Sequence, residues 1–210
     1  MELISTLLIA IPIIVVSMVL HEMAHGYVAY WLGDQTPKAQ GRLSPNPFKH
    51  LDPFLSFLLP LSMALMGGPI FGGAKPVQIN TAKIKYREWG MALVALAGPL
   101  TNIILAYLLF VIFHYSEASL SPLVAAILSS AIFINLGFAV FNLIPIPPLD
   151  GSRLLYALAP EPIQNFMQKI ERTGPLVVFA IIFIAGGLVS AFIGSAILFI
   201  RNGVFHCLVI

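Results

Sequence analysis

The chain has 210 residues, 59% of them hydrophobic and 10% charged, with a net charge of +2 at pH 7. Soluble globular domains carry about 25% charged residues, so this composition argues against a water-soluble fold and for a chain that meets lipid. The small, scattered charge argues against a nucleic-acid partner, and the single cysteine, Cys207, excludes an intrachain disulfide and a cysteine-based metal cluster.

Apolar segments fall at 3–32, 53–71, 89–113, 122–143 and 174–200. They predict an all-α polytopic membrane protein of about five (four to six) hydrophobic segments, to which the stretch 74–80 adds a small β element. We expect one integral-membrane domain over 1–210, with a catalytic core over about 1–160 and a C-terminal helical segment at 174–200. The first segment lacks a basic leader and a small-x-small cleavage site, so it is expected to be a retained helix. As a helix it exceeds the roughly 30 Å hydrocarbon core, and must tilt, bend near Pro12 or protrude.

Within that segment stands "HEMAH", His21 to His25. Histidines four apart share one helix face and can bind a single ion. The pattern H-E-x-x-H places two imidazoles on zinc, with the glutamate as general base. We assign His21 and His25 as metal ligands, Glu22 as the catalytic acid/base, and one Zn2+ per chain as cofactor. An interhelical hydrogen-bond cluster is the bland alternative, but such bonds contribute only about 0.6–2 kcal/mol. A charged side chain at the bilayer centre costs roughly 2.5–3.5 kcal/mol on insertion scales, whereas structural zinc can return about 10–16 kcal/mol. If the helix leaves the membrane near Leu32, His21 lies roughly 16 Å in along the axis. Tyr27, Tyr30 and Trp31 fit an interfacial aromatic belt.

The connection 33–52 is basic, with Lys38, Arg42 and Lys49, and holds His50, a loop-borne candidate for a third ligand. Segment 53–71 contains Pro60 and ends in Gly67-Gly68-Pro69, so it reads as short or re-entrant. The stretch "AKPVQIN" (74–80) has β character. An exposed strand edge there could hold an extended substrate by backbone pairing, which makes Lys75, Val77 and Ile79 candidate substrate-binding residues; a plain connecting hairpin is the alternative. In segment 89–113, "AGPLTN" (97–102) offers Gly98 for close helix approach and Asn102 as a polar group, either packing glue or a substrate contact.

The loop 114–121 carries no Lys or Arg, while 144–173 carries Arg153, Lys169 and Arg172. The positive-inside rule then puts 33–52, 72–88 and 144–173 in the cytoplasm and 114–121 outside. Between segment four and the next stretch runs "NLIPIPPLDG" (142–151). Its prolines forbid a continuing helix and stiffen the chain, and Gly151 permits a sharp turn. This delivers Asp150 to the side where the helix depth puts HEMAH, and makes it the better third ligand. Its alternative role is a helix N-cap for "SRLLYAL". Asn142 could donate to an oxyanion or cap its own helix. The last segment is interrupted by Gly186-Gly187 and is expected to bend or split.

Together "HEMAHGYVAYWLGD", "AGPLTN" and "FNLIPIPPLDG" (141–151) resemble the site-2 protease family of intramembrane zinc metalloproteases, over most of residues 15–160. The chain looks like a short prokaryotic-type member without a PDZ domain. The resemblance implies His21, His25 and Asp150 as zinc ligands and Glu22 as acid/base. It implies partners that are single-pass transmembrane protein or peptide substrates, cut within or near the bilayer after another protease has trimmed them. It also implies a multi-pass protein of a prokaryotic cell membrane, and the loop charge and the depth of HEMAH put the opening of the site on the cytoplasmic side. A metal or proton transporter using the same His/Asp site is the rival. It would need a polar path, and Leu3 to Leu20 offers only Ser5, Thr6 and Ser17.

Overall fold

A computed structural model describes residues 2–52, 75–174 and 176–209. The apolar segment expected at 53–71 lies outside the described residues. Helix α1 is Glu2–Trp31, with Pro12 inside it, and a single turn, α2, follows at Thr36–Ala39. Helix α3 is Arg87–Ser116 and α4 is Pro122–Asn142. Two shorter helices, α5 at Gly151–Leu158 and α6 at Glu161–Arg172, lead to α7, Leu176–Phe199. A π-helical stretch, Ile200–Phe205, joins α7 to α8 at His206–Val209.

Among the described residues, four stretches are long and apolar enough to cross a membrane: Thr6–Trp31, Arg87–Ser119, Pro122–Asn142 and Phe183–Val209. In the most apolar 18-residue window of each, at most 33% is buried against protein, so most of that apolar surface faces outward and calls for lipid as solvent. The final element is bent as its glycine pair suggested: Ala185, beside Gly186, leaves helical geometry at φ −122°, ψ 19°.

Helix α3 is the hub, packing on α1, α4 and α5. Ser121 caps α4, its hydroxyl accepting the Val124 N–H, with Pro122 in the first helical position where no N–H is needed. This closes a tight antiparallel hairpin with α3. Ala106 and Phe110 of α3, Ile132, Leu136 and Val140 of α4, Ile197 of α7 and Phe205 form one buried apolar cluster.

Helix α1 ends in a Schellman motif. Gly33 sits at φ +111°, the Asp34 N–H donates to the Ala29 carbonyl, and the Gly33 N–H donates to that of Tyr30. The turn buries Asp34 completely. Its Oδ1 accepts from the Thr36 N–H and hydroxyl, and its Oδ2 from the Asn80 N–H at 2.7 Å.

The small β element expected at 74–80 is not formed: residues 75–80 contain no strand, and no strand occurs among the described residues. Three of its backbone donors are spent elsewhere. The Lys75 N–H goes to the His50 carbonyl, the Val77 N–H to the Glu22 carboxylate at 3.0 Å, and the Asn80 N–H to Asp34. Pro76 has none to give. The segment is laid against α1 by carboxylates rather than paired in a ladder.

Burial would raise the carboxyl pKa of Asp34, but the hydrogen bonds from Thr36 and Asn80, aided by Lys83, hold it below its ordinary value. A depressed folded-state pKa contributes stability that is complete above the unfolded value, near 3.9, and disappears as pH falls through the folded one. Asp34→Asn is therefore expected to lose about 1.5–3 kcal/mol at pH 7. In detergent, its thermal midpoint should lie several degrees below that of the unaltered chain at pH 7, with the gap narrowing as pH drops below about 4.

Candidate metal centre

His21 and His25 occupy successive turns of α1 and are buried. The His25 Nδ1 lies 2.8 Å from the Val94 carbonyl oxygen. A carbonyl only accepts, so Nδ1 carries the hydrogen, and the neutral ring keeps its lone pair on Nε2. The His21 Nδ1 lies 2.6 Å from the Asn102 Oδ1, which leaves its Nε2 in the same state. The two Nε2 atoms face each other at 3.0 Å.

Asp150 arrives from the proline-rich connection. Its chain doubles back so tightly that a Cβ on Gly151 would stand 2.1 Å from the Leu143 carbonyl oxygen. Glycine is therefore required on steric grounds. Asp150 occupies the N-cap position of α5, yet its side chain makes no capping hydrogen bond. Instead its Oδ2 sits 3.2 Å from the His21 Nε2 and 3.3 Å from the His25 Nε2. That oxygen is buried without a conventional hydrogen-bond partner.

With both rings neutral, two imidazole lone pairs and a carboxylate oxygen thus converge on one point. Three acceptors facing one another repel unless a cation lies among them. These three residues can hold a metal ion, and the fit to zinc is close. Bonds of about 2.0–2.1 Å at tetrahedral angles would separate ligand atoms by about 3.3–3.4 Å, against the observed 3.0–3.3 Å. Imidazole and carboxylate suit zinc, and three protein ligands leave a fourth position for water or substrate. Gly98 of α3 keeps the space clear: a Cβ there would stand 2.5 Å from the His25 Nε2 and 2.6 Å from the His21 Nε2.

Glu22 lies beside the centre and outside the converging set. Its Oε2 accepts the Val77 N–H, so residue 77 rests on the carboxylate. Asn102 is fully buried against His21 and holds that imidazole directly. The Asn142 amide donates to the Phe138 carbonyl one turn back in its own helix. Lys75 touches Arg42 and His50 through its backbone, and Ile79 packs against the Ala29, Ile84 and Val94 cluster. His50 is fully buried elsewhere, its Nε2 donating to the Ser44 carbonyl. Sequence reasoning missed three participants: the Val94 carbonyl, the steric role of Gly98 toward the two imidazoles, and Asn135, whose Oδ1 accepts from Asn102 at 2.9 Å. A backbone carbonyl leaves no mark in sequence. Asn135 did leave one, a side-chain amide in the middle of an apolar helix.

A buried cluster of two imidazoles and a carboxylate that can hold a metal ion, set among helices apolar enough to cross a membrane, points to a membrane metalloprotein. The model of peptidase family M50 matches residues 9–122 and 111–186, and the chain belongs to that family, the site-2 protease family of membrane metalloproteases. YwhC of Bacillus subtilis (strain 168), described as a candidate zinc metalloprotease, is 39% identical over 178 residues, 81% of this chain and 78% of its own. Rip2 of Mycolicibacterium smegmatis, described likewise, is 33% identical over 172 residues, 79% of this chain and 63% of its own. Rip2 of Mycobacterium tuberculosis (strain H37Rv) is 32% identical over 198 residues, 91% of this chain and 73% of its own. No solved structure matches the chain.

Purified protein is expected to hold about one zinc per chain, and His21→Ala or Asp150→Ala to lose most of it. Gly98→Ala should lower zinc affinity by at least about tenfold without unfolding the bundle, because its methyl group enters the space before both ligand nitrogens. Metal analysis and circular dichroism on the same samples check both.

Proposed function

We propose that this membrane metalloprotease is an intramembrane zinc endopeptidase, one domain over residues 1–210, that cuts single-pass membrane proteins within or near the bilayer. The observation that carries the reading is the convergence of the His21 Nε2, the His25 Nε2 and the Asp150 Oδ2 inside a lipid-facing helix bundle. His21, His25 and Asp150 hold the zinc. Bound there, zinc supplies Lewis-acid polarisation of a peptide carbonyl and makes water acidic near neutral pH. Glu22, close by but not coordinating, takes the proton from the attacking water and returns it to the leaving amine nitrogen.

The substrate must be extended, because a helix keeps its scissile carbonyl bonded internally. Segment 75–80 is suited to receive it. It lies within hydrogen-bond distance of Glu22 at Val77 and is fastened at Asn80. In this reading Val77 and Ile79 align the substrate backbone, and Lys75 marks the mouth. Cleavage following an earlier cut by another protease, as regulated intramembrane proteolysis requires, agrees with a site that admits an unwound segment rather than an intact folded domain. The basic stretches at 33–52 and 144–173 support an opening toward the cytoplasm, and the bacterial relatives support a prokaryotic cell membrane.

A transporter would need its polar path to continue past the centre. One turn beyond Asn102 and Asn135, Ala106 and Ile132 are buried in the apolar cluster, which favours a dead-end catalytic site.

Glu22→Gln is expected to retain zinc while cleavage of a single-pass membrane substrate falls by about 100-fold or more. Unimpaired cleavage would remove Glu22 from the mechanism. Ile79→Pro should slow turnover strongly at unchanged zinc content, with Gln78→Ala mild; normal turnover by the proline variant would make 75–80 a mere connection. In a Cys207→Ser background, cysteines at positions 38 and 169 should label from the cytoplasmic face, and labelling from the outer face alone would reverse the topology.

A further inference from the structure

The two ligand histidines solve one problem in different ways. Each must carry its ring hydrogen on Nδ1 so that Nε2 can bind metal. For His25 the partner is a backbone carbonyl, which cannot turn round. For His21 it is the side-chain amide of Asn102, which can. With its oxygen toward His21, Asn102 accepts the Nδ1 hydrogen. Turned over, it would present N–H and select the tautomer in which Nε2 is protonated and cannot ligate.

We propose that Asn135 is a positioning residue that prevents this turn, and so sets the ligating tautomer of His21 through Asn102. The inference rests on the zinc reading above. The argument runs across three helices. The Asn135 Nδ2 donates to the Ala131 carbonyl of its own helix at 2.9 Å, which fixes its amide, since a carbonyl has nothing to donate. The Asn135 Oδ1 then faces α3 and accepts from the Asn102 Nδ2 at 2.9 Å. The same Asn102 nitrogen donates to the Ser17 carbonyl at 3.4 Å. Both atoms waiting for Asn102 on that side are acceptors, so its nitrogen must point to them and its oxygen to His21. Reversal would set oxygen against oxygen at both contacts. Asn102 and Asn135 are 0% and 2% exposed, so water cannot relieve that repulsion. Simple packing would be indifferent to the order of nitrogen and oxygen along the chain, whereas this order is consistent from Ala131 to the His21 Nε2.

The test is a double-mutant cycle on the full chain in detergent, reading zinc dissociation constants by chelator competition. Asn135→Leu is expected to weaken zinc binding about 10–100-fold in the native background. Asn102→Asp supplies a carboxylate that accepts from the His21 Nδ1 whichever way it turns, so on that background Asn135→Leu should no longer weaken binding. Equal losses on both backgrounds, or none on the native one, would overturn the proposal. A second readout needs no variant at position 135. In the nitrogen-15 spectrum of zinc-loaded native protein, His21 should coordinate through Nε2 and carry its hydrogen on Nδ1, and coordination through Nδ1 would overturn the proposal whatever the variants do. Native protein that binds no zinc would remove the metal centre itself, an outcome distinct from a failed cycle on a zinc-binding chain.

Discussion

The molecule is organised around the electrostatic demand of three acceptor atoms held within about 3.3 Å of one another among apolar helices. A charged group at such a depth costs a few kcal/mol on insertion scales, while a bound zinc ion can return about 10–16 kcal/mol. The neighbouring structure follows from meeting that demand. Gly98 withholds a side chain so that α3 can approach the two imidazoles, Gly151 allows the chain to double back beneath Asp150, and the Nδ1 hydrogens are donated to the Val94 and Asn102 oxygens.

On one side of this centre the bundle is sealed by apolar packing around Ala106, Phe110 and Ile132. On the other it is lined by a segment whose backbone is tied to acidic side chains. Glu22 and Asp34, at different heights of α1 and its terminus, take the Val77 and Asn80 N–H groups. Such bonds to charged acceptors are stronger than neutral ones, and they hold residues 75–80 on α1 without a neighbouring strand. Stability and chemistry therefore meet in one segment, which fastens the α1 terminus and rests on the proposed proton carrier.

The helix hub brings three sequence motifs together. "HEMAH" lies on α1, "AGPLTN" on α3 and "PPLDG" at the α4–α5 connection, and α3 packs on α1, α4 and α5. A change in any one motif alters the spacing of atoms that belong to the others. The match to peptidase family M50 spans all three.

Much of this was legible in the residues themselves. Uninterrupted apolar runs can satisfy their backbones in lipid only as helices, so the spanning elements were readable. Two histidines at helical spacing must share a face whatever surrounds them. Prolines followed by "LDG" announced a stiff connection delivering one carboxylate. The conformation of 75–80 was misread because Val77 and Ile79 do have strand character, and the competing acceptors, Glu22 and Asp34, lie far away in sequence. That Asn102 serves His21 rather than general packing, that Gly98 faces ligand nitrogens, and that Asn135 stands behind them were settled by tertiary structure. The physical reason is common to all three. A hydrogen bond or a steric gap is a relation between two chain segments at distances of a few ångströms, while a sequence records only which groups each segment can offer.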